Sequence, residues 1–275
     1  MDELVFLKLG GSLITEKTLR YSARFDKLAA LAAEIHDALA ELPELRVVLG
    51  HGSGSFGHFA VQEHLIAAPR PLSKTGRKGA DAEYWKGFAE VWYQAAQLNR
   101  HVVEALHQAA VPVVSLAPSA GAITSNGKIV SWDLAPLQAA LNAGVIPLIF
   151  GDIVFDDAEG GKVLSTEVLM WHLARELRRR RILLAGLEAA VWADFPARLR
   201  SIGKITPRTS SMVADQIGGS QGPDVTGGMK SKVEEMLALV QTVPGLSVRI
   251  FSGEEGGNVR RALAGEALGT LIISD

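Results

Sequence analysis

The sequence predicts an α/β fold built on a largely parallel sheet, and three observations carry that reading. Short β-rich runs alternate with longer helical patterns along the chain, the mark of βαβ units. Hydrophobic residues make up 48% of the 275, enough for a substantial core. No repeat, low-complexity tract or long linker interrupts the pattern, so the chain reads as one α/β fold with room for two lobes, a domain averaging ~150 residues.

The strands are expected at Leu4–Leu9, Arg46–Leu49, Val113–Leu116, Ile146–Phe150, Ile182–Ala185, Ser247–Phe251 and Thr270–Ile273. Helical periodicity predicts Phe25–Glu41, Tyr84–Gln108, Leu134–Asn142, Ser165–Arg179 and Lys230–Val240. Ile123–Ile129 and Val154–Leu164 carry Asn-Gly and Gly-Gly turns and read as hairpins. Pro69–Gly79 is the most loop-like stretch and Gly218–Gly228 the richest in glycine. Arg178–Arg181 closes a helix just before a strand, where cations favour the carbonyl end of the helix dipole.

Composition excludes several classes. A net charge of −2 offers no basis for a nucleic-acid or anionic-membrane partner. With no cysteine there is no disulfide, thiolate metal site or thiol nucleophile. The opening MDELVFLKLGG is acidic and too short in apolar residues for a signal peptide. The longest apolar run, Val145–Phe150, falls far below the ~18 residues of a membrane span. The expectation is a soluble cytoplasmic protein.

Three glycine loops draw attention. Gly52-Ser53-Gly54-Ser55-Phe56-Gly57 matches the dinucleotide fingerprint G-x-G-x-x-G. That fingerprint belongs after the first strand, with an acid ~20 residues on to hold the ribose. Here the loop follows the second strand, and Arg77-Lys78 stand where the acid belongs. What remains is the physics of glycine, which lets backbone N–H groups close on an anion at a helix N-terminus. The first strand likewise runs into Gly10-Gly11-Ser12, bracketed by Lys8 and Lys17, and Gly218–Lys232 opens a further helix. Several lysines and three such loops suit a polyphosphate; no G-x-x-x-x-G-K-[ST] is present, so the chain is not of the P-loop type.

LKLGGSLITEK at 7–17, HGSGSFGH at 51–58, GDIVFDD at 151–157 and DVTGGMKSK at 224–232 resemble the amino acid kinase superfamily, and within it the isopentenyl phosphate kinase family. Similarity continues through Trp85–Phe88, Leu98-Asn99, Val111–Leu116 and Leu141–Asp157. The resemblance implies a three-layer αβα sandwich, a homodimer, and Mg-ATP as phosphoryl donor. It also implies an acceptor-binding lobe at about 1–160 and a nucleotide-binding lobe at about 161–275.

Site roles follow partly from chemistry. A phosphate monoester has a second pKa of ~6 and is already a nucleophile near neutrality, so positioning and charge screening matter more than a base. His58 is expected to hydrogen-bond the acceptor phosphate, with Gly52, Gly57 and Thr166 beside it. Lys8 and Lys17 are candidates to span the transferring phosphoryl, and the resemblance makes Asp152 the group that holds the lysines. For ATP the candidates are Lys8, Gly10, Gly11, Ser12, Ser53, Gly54, Gly186, Gly227, Gly228 and Lys232.

Two stretches depart from the family. Its nucleotide-side T-D-V-D-G corresponds to Gly186-Leu-Glu-Ala-Ala190, and its S-G-D becomes Ser165-Thr166-Glu167. Base and ribose are therefore expected to be read loosely. The activity implied is phosphorylation of isopentenyl phosphate by ATP. A fosfomycin-type phosphonate kinase and a non-catalytic nucleotide- or anion-binding relative stand as alternatives.

Overall fold

The computed structural model describes residues 3–64, 80–177, 181–210 and 228–275. The predicted loops at Pro69–Gly79 and, up to Gly227, at Gly218–Gly228 lie outside the described residues, as do Arg178 to Arg180.

Strand β1 (Glu3–Leu9) shows why the sheet is central. Its apolar residues do not alternate with polar ones, because both faces are covered. Leu4 and Phe6 enter one core cluster, while Val5, Leu7 and Leu9 enter the other. Around it the sheet runs β12 (Lys204–Ile205), β14 (Thr270–Ile273), β13 (Ser247–Ser252), β9 (Arg181–Gly186), β1, β2 (Leu45–His51), β6 (Ile146–Phe150) and β3 (Val113–Ser115). Every neighbouring pair is parallel except β13 with β14.

Helices α1 (Gly11–Ile14), α2 (Phe25–Glu41) and α4 (Ala80–Gln108) pack on one face, α3 (Gly54–His64) lying against α4. Helices α5 (Ala135–Asn142), α6 (Thr166–Leu177) and α7 (Gly228–Thr242) cover the other face. Helix α8 (Asn258–Leu263) joins α2 on the first face. This is the expected three-layer αβα sandwich. Both predicted hairpins form: β4 (Ala122–Ser125) with β5 (Lys128–Trp132), and β7 (Asp152–Asp156) with β8 (Gly160–Leu164). The first turns on Asn126 and Gly127, both at positive φ (48° and 74°), which suits Asn-Gly. Together they make a separate four-stranded sheet, β5-β4-β7-β8. Short strands β10 (Val191–Trp192) and β11 (Ser201–Ile202) pair in a stretch where periodicity predicted nothing.

Among the described residues no helix is long and apolar enough to cross a membrane.

Candidate active site

The parallel strands bring their carboxyl ends to one edge of the sheet, where open α/β folds bind ligands. Register puts Leu9 beside both His51 and Ala185, and His51 beside Phe150. The first two glycine loops therefore leave the sheet side by side, and they interlock. A Cβ added to Gly11 would lie 2.5 Å from the Gly54 nitrogen, and one on Gly52 would lie 2.7 Å from the Gly11 nitrogen. Gly54 also has φ +50°. Only residues without a side chain allow this approach. Gly52 N–H donates to the Leu9 carbonyl at 3.0 Å, and Ser55 N–H to Thr15 Oγ1 at 3.0 Å, tying the loops together.

The consequence is a row of backbone donors. Among the described residues, the amides of Gly11, Ser12, Ser53 and Gly54 reach no protein acceptor. They stand at the starts of α1 and α3, where the backbone is electropositive and suited to an anion.

Lys8, near the end of β1, is buried and pairs with the buried carboxylate of Glu167 at the start of α6. Lys232, one turn into α7, lies 3.9 Å from the same carboxylate oxygen. Burial pushes the Glu167 pKa up, but Lys8 and Lys232 more than offset this and hold it at about 2. Burial lowers the Lys8 pKa, with Glu167 opposing. Glu235 on α7 also feels this cluster, its pKa raised by burial and by the Glu167 charge.

The acid placed against Lys8 and Lys232 is thus Glu167, where Asp152 was expected. Asp152 is buried at the start of β7, where its carboxylate accepts the Ser119 N–H at 3.0 Å and the Ile153 N–H at 2.8 Å. Its bonds organise the junction of β7 with the Pro118–Ala120 turn. Thr166 donates its hydroxyl to the His51 carbonyl at 2.6 Å, so it fastens the second glycine loop. Sequence reasoning noted Glu167 only as a departure from S-G-D. The signal was an acid in the first turn of a helix whose partners lie 159 residues earlier and 65 later, by the numbering.

The remaining candidates are distributed as follows. His58 is half-buried on α3, one turn beyond Gly54, and Gly57 packs against Ser53 so closely that a side chain there would collide with it. Gly10 donates to the Ala185 carbonyl at 2.8 Å, and Gly186 ends β9 with open space where a Cβ would stand. Gly228 opens α7 at φ +71°. Lys17 sits exposed on the turn after α1, not drawn into the Lys8 cluster. Gly227 lies outside the described residues.

Beyond the loops lies an aromatic cluster. Tyr84 and Phe88 of α4, Ala60 of α3 and Ile153 of β7 form a small core, with Phe88 stacked on Phe155 at 4.9 Å and Trp85 beside it. Trp92 is exposed and donates to Ser119 Oγ at 3.1 Å.

Residues 3–252 match the amino acid kinase family. The chain is 31% identical to the isopentenyl phosphate kinase of Methanocaldococcus jannaschii over 273 residues, 98% of each chain. It is 35% identical to that of Haloferax volcanii, again over 98% of each. Among solved structures, one described as an isopentenyl phosphate kinase superposes with a TM-score of 0.81 at 28% identity, covering 98% of this chain and all of the other. The chain belongs to the amino acid kinase family, and these full-length relatives are isopentenyl phosphate kinases.

Proposed function

We propose that this chain is a kinase that transfers the γ-phosphoryl group of ATP to isopentenyl phosphate, forming isopentenyl diphosphate and ADP. The observation that carries the reading is the Lys8–Glu167–Lys232 cluster on the same sheet edge as two interlocked loops, four of whose amides meet no acceptor among the described residues. Such a site screens and orients phosphates, and contributes little else. An acceptor that is itself a phosphate monoester needs little else. An acceptor oxygen attacks the γ-phosphorus, the bond to the bridging oxygen breaks, and ADP leaves with those electrons.

In this reading the amides of Gly11, Ser12, Ser53 and Gly54 take the nucleotide phosphates and Lys8 bridges toward the transferring group. Glu167 opposes the burial that lowers the Lys8 pKa, and also positions Lys232. His58 donates to the acceptor phosphate, and the acceptor tail lies toward the aromatic cluster of Tyr84, Phe88 and Phe155. Mg2+ would come with the nucleotide, since that ion is usually held mainly by phosphate oxygens. Among the described residues no three His, Asp or Glu side chains gather to cage a metal.

The lobe division also belongs to the proposal: β1, β2, β3 and β6 form the acceptor half of the sheet, and β9, β12, β13 and β14 the nucleotide half. A homodimer, on the family resemblance, completes it, working in the cytoplasm as the sequence leads us to expect. Coupled ADP release over a panel of small phosphates and phosphonates tests the activity. Turnover with isopentenyl phosphate supports it; release only with fosfomycin, or binding without release, overturns it.

A further inference from the structure

Behind the second glycine loop lies a polar chain, buried at His51 and part-buried at Asn99 and Ser115, that the mechanism above does not use. His51, the last residue of β2, is fully buried and stacks on Phe150 at 5.5 Å, the ring planes 7° apart. Its Nδ1 lies 3.0 Å from the Gly52 carbonyl oxygen and its Nε2 lies 3.3 Å from Asn99 Oδ1. Asn99 Nδ2 in turn reaches Ser115 Oγ at 2.8 Å. Two acceptors thus face the two ring nitrogens, and a neutral imidazole has only one N–H to give. Burial, with the nearby Lys8 charge adding to it, lowers the His51 pKa to about 4, although its bonds to Gly52 and Asn99 act the other way. The ring is therefore neutral at pH 7, and one of the two contacts cannot be a bond as oriented.

An amide resolves the conflict by half a turn, since its oxygen and nitrogen are nearly the same size and exchange places without disturbing a neighbour. We propose that Ser115, Asn99 and His51 form a directed relay that aims the Gly52–Ser53 peptide. In it the Ser115 hydroxyl donates to Asn99 Oδ1, Asn99 Nδ2 donates to His51 Nε2, and His51 Nδ1–H donates to the Gly52 carbonyl. In a trans peptide the carbonyl and the following N–H point in opposite directions. Holding the Gly52 carbonyl toward the imidazole turns the Ser53 N–H away from it, into the row of open amides. Gly151 lies alongside that nitrogen, at a distance where a Cβ would stand 3.4 Å from it. His51 is thus a positioning residue for a phosphate-binding amide. The direction of the relay stands on the placement of the two acceptors and on the neutral ring that burial enforces; its effect on turnover rests on the kinase reading.

Ring-nitrogen NMR of the 15N-histidine-labelled protein at pH 7 tests the relay, with the His51 signals identified by their loss in His51→Phe. The expected result is a protonated Nδ1 and a bare Nε2. Asn99→Asp, which can only accept, should leave both nitrogens protonated. A wild-type ring carrying its proton on Nε2, or on both nitrogens, overturns the relay whatever the substrate proves to be. Ser115→Ala, which frees the far end, should mix the two tautomers, and an unchanged spectrum would count against the relay even if His51 variants fold poorly. For positioning, His51→Phe keeps the stack on Phe150 and should lower kcat about tenfold or more, a fraction of what deleting a charge-stabilising donor costs. The acceptor KM should move little. His51→Asn, whose amide nitrogen can take the place of Nδ1, should recover most of the loss. Unchanged kcat in His51→Phe, or no recovery in His51→Asn, overturns the positioning role.

Discussion

The two ends of the candidate nucleotide site are built from different materials. At the phosphate end, Gly10 to Ser12 and Gly52 to Gly54 meet backbone against backbone, and their donors are amides. At the far end, residues 186–200 are held by side chains that occupy one another. Glu188 accepts from Arg198 at 2.7 and 2.9 Å and from Trp192 Nε1 at 2.8 Å. Asp194 accepts the backbone N–H groups of Leu199 and Arg200 at 3.2 and 3.1 Å. Leu187 and Ala189 face solvent. A site made of backbone keeps its donors whatever the side chains do. A site made of side chains can have its groups occupied by internal pairs, and the Glu188 carboxylate is so occupied.

The contrast breaks most sharply at Gly11. Gly11→Ala drives a Cβ against the Gly54 nitrogen, which belongs to backbone and cannot swing aside. With amides of both loops displaced, turnover should fall about a thousandfold, the upper end for loss of oriented donors. Circular dichroism should still show a folded protein. Activity within tenfold of wild type would mean that the cradle is not where phosphate is held.

Next in size is His58. His58→Ala should lower kcat by ~10²-fold or more, as removal of a charge-stabilising donor does. Steady-state kinetics with isopentenyl phosphate decides it, and near-normal kcat would remove His58 from the acceptor site.

The third test compares two buried acids. Glu167→Gln leaves Lys8 buried without a charged partner, which typically costs roughly 3–5 kcal/mol of stability. It should lower kcat more than it changes the acceptor KM, because a misplaced or neutral Lys8 no longer meets the transferring charge. Asp152→Asn keeps its shape beside Ser119 and should lower kcat less. Urea unfolding and kinetics of both variants give the ordering, and a larger kcat loss in Asp152→Asn would return the organising role to Asp152.

The smallest effect concerns the base. With Glu188 committed to Arg198 and Trp192, GTP should support kcat/KM within about tenfold of ATP, a gap of at most 1.4 kcal/mol. A thousandfold ATP preference would show base recognition elsewhere in the chain. Arg198→Ala sharpens the point: if Glu188, once released, reads a ribose, the nucleotide KM should fall modestly while kcat holds.

How much could be read beforehand follows the same division. Strand β1 was legible because an unbroken apolar run fits a sheet covered on both faces. The two loops were legible because glycine spacing reflects backbone demands that are local. The acid that meets Lys8 was not legible, because the choice between Asp152 and Glu167 depends on where their carboxylates arrive. Glu167 reaches Lys8 only after β1 and α6, distant in sequence, are packed on one sheet. Strands β10 and β11 escaped notice for a related reason, being two residues each and defined by pairing rather than by pattern.

The sequence by itself determined the alternation of strand and helix, the burial of the sheet on both sides, the two hairpins and the positions where backbone must approach backbone. These rest on short-range periodicity and on the absence of a side chain, which are properties of residues and their immediate neighbours. Only the tertiary structure decided that Glu167 sits between Lys8 and Lys232, that Glu188 is taken by Arg198, and that His51 meets Asn99 behind the loop. Each of those depends on the direction of a side chain across a gap in sequence. Packing sets such directions, because desolvated charges and donors stay where a partner of the right kind has been brought within reach.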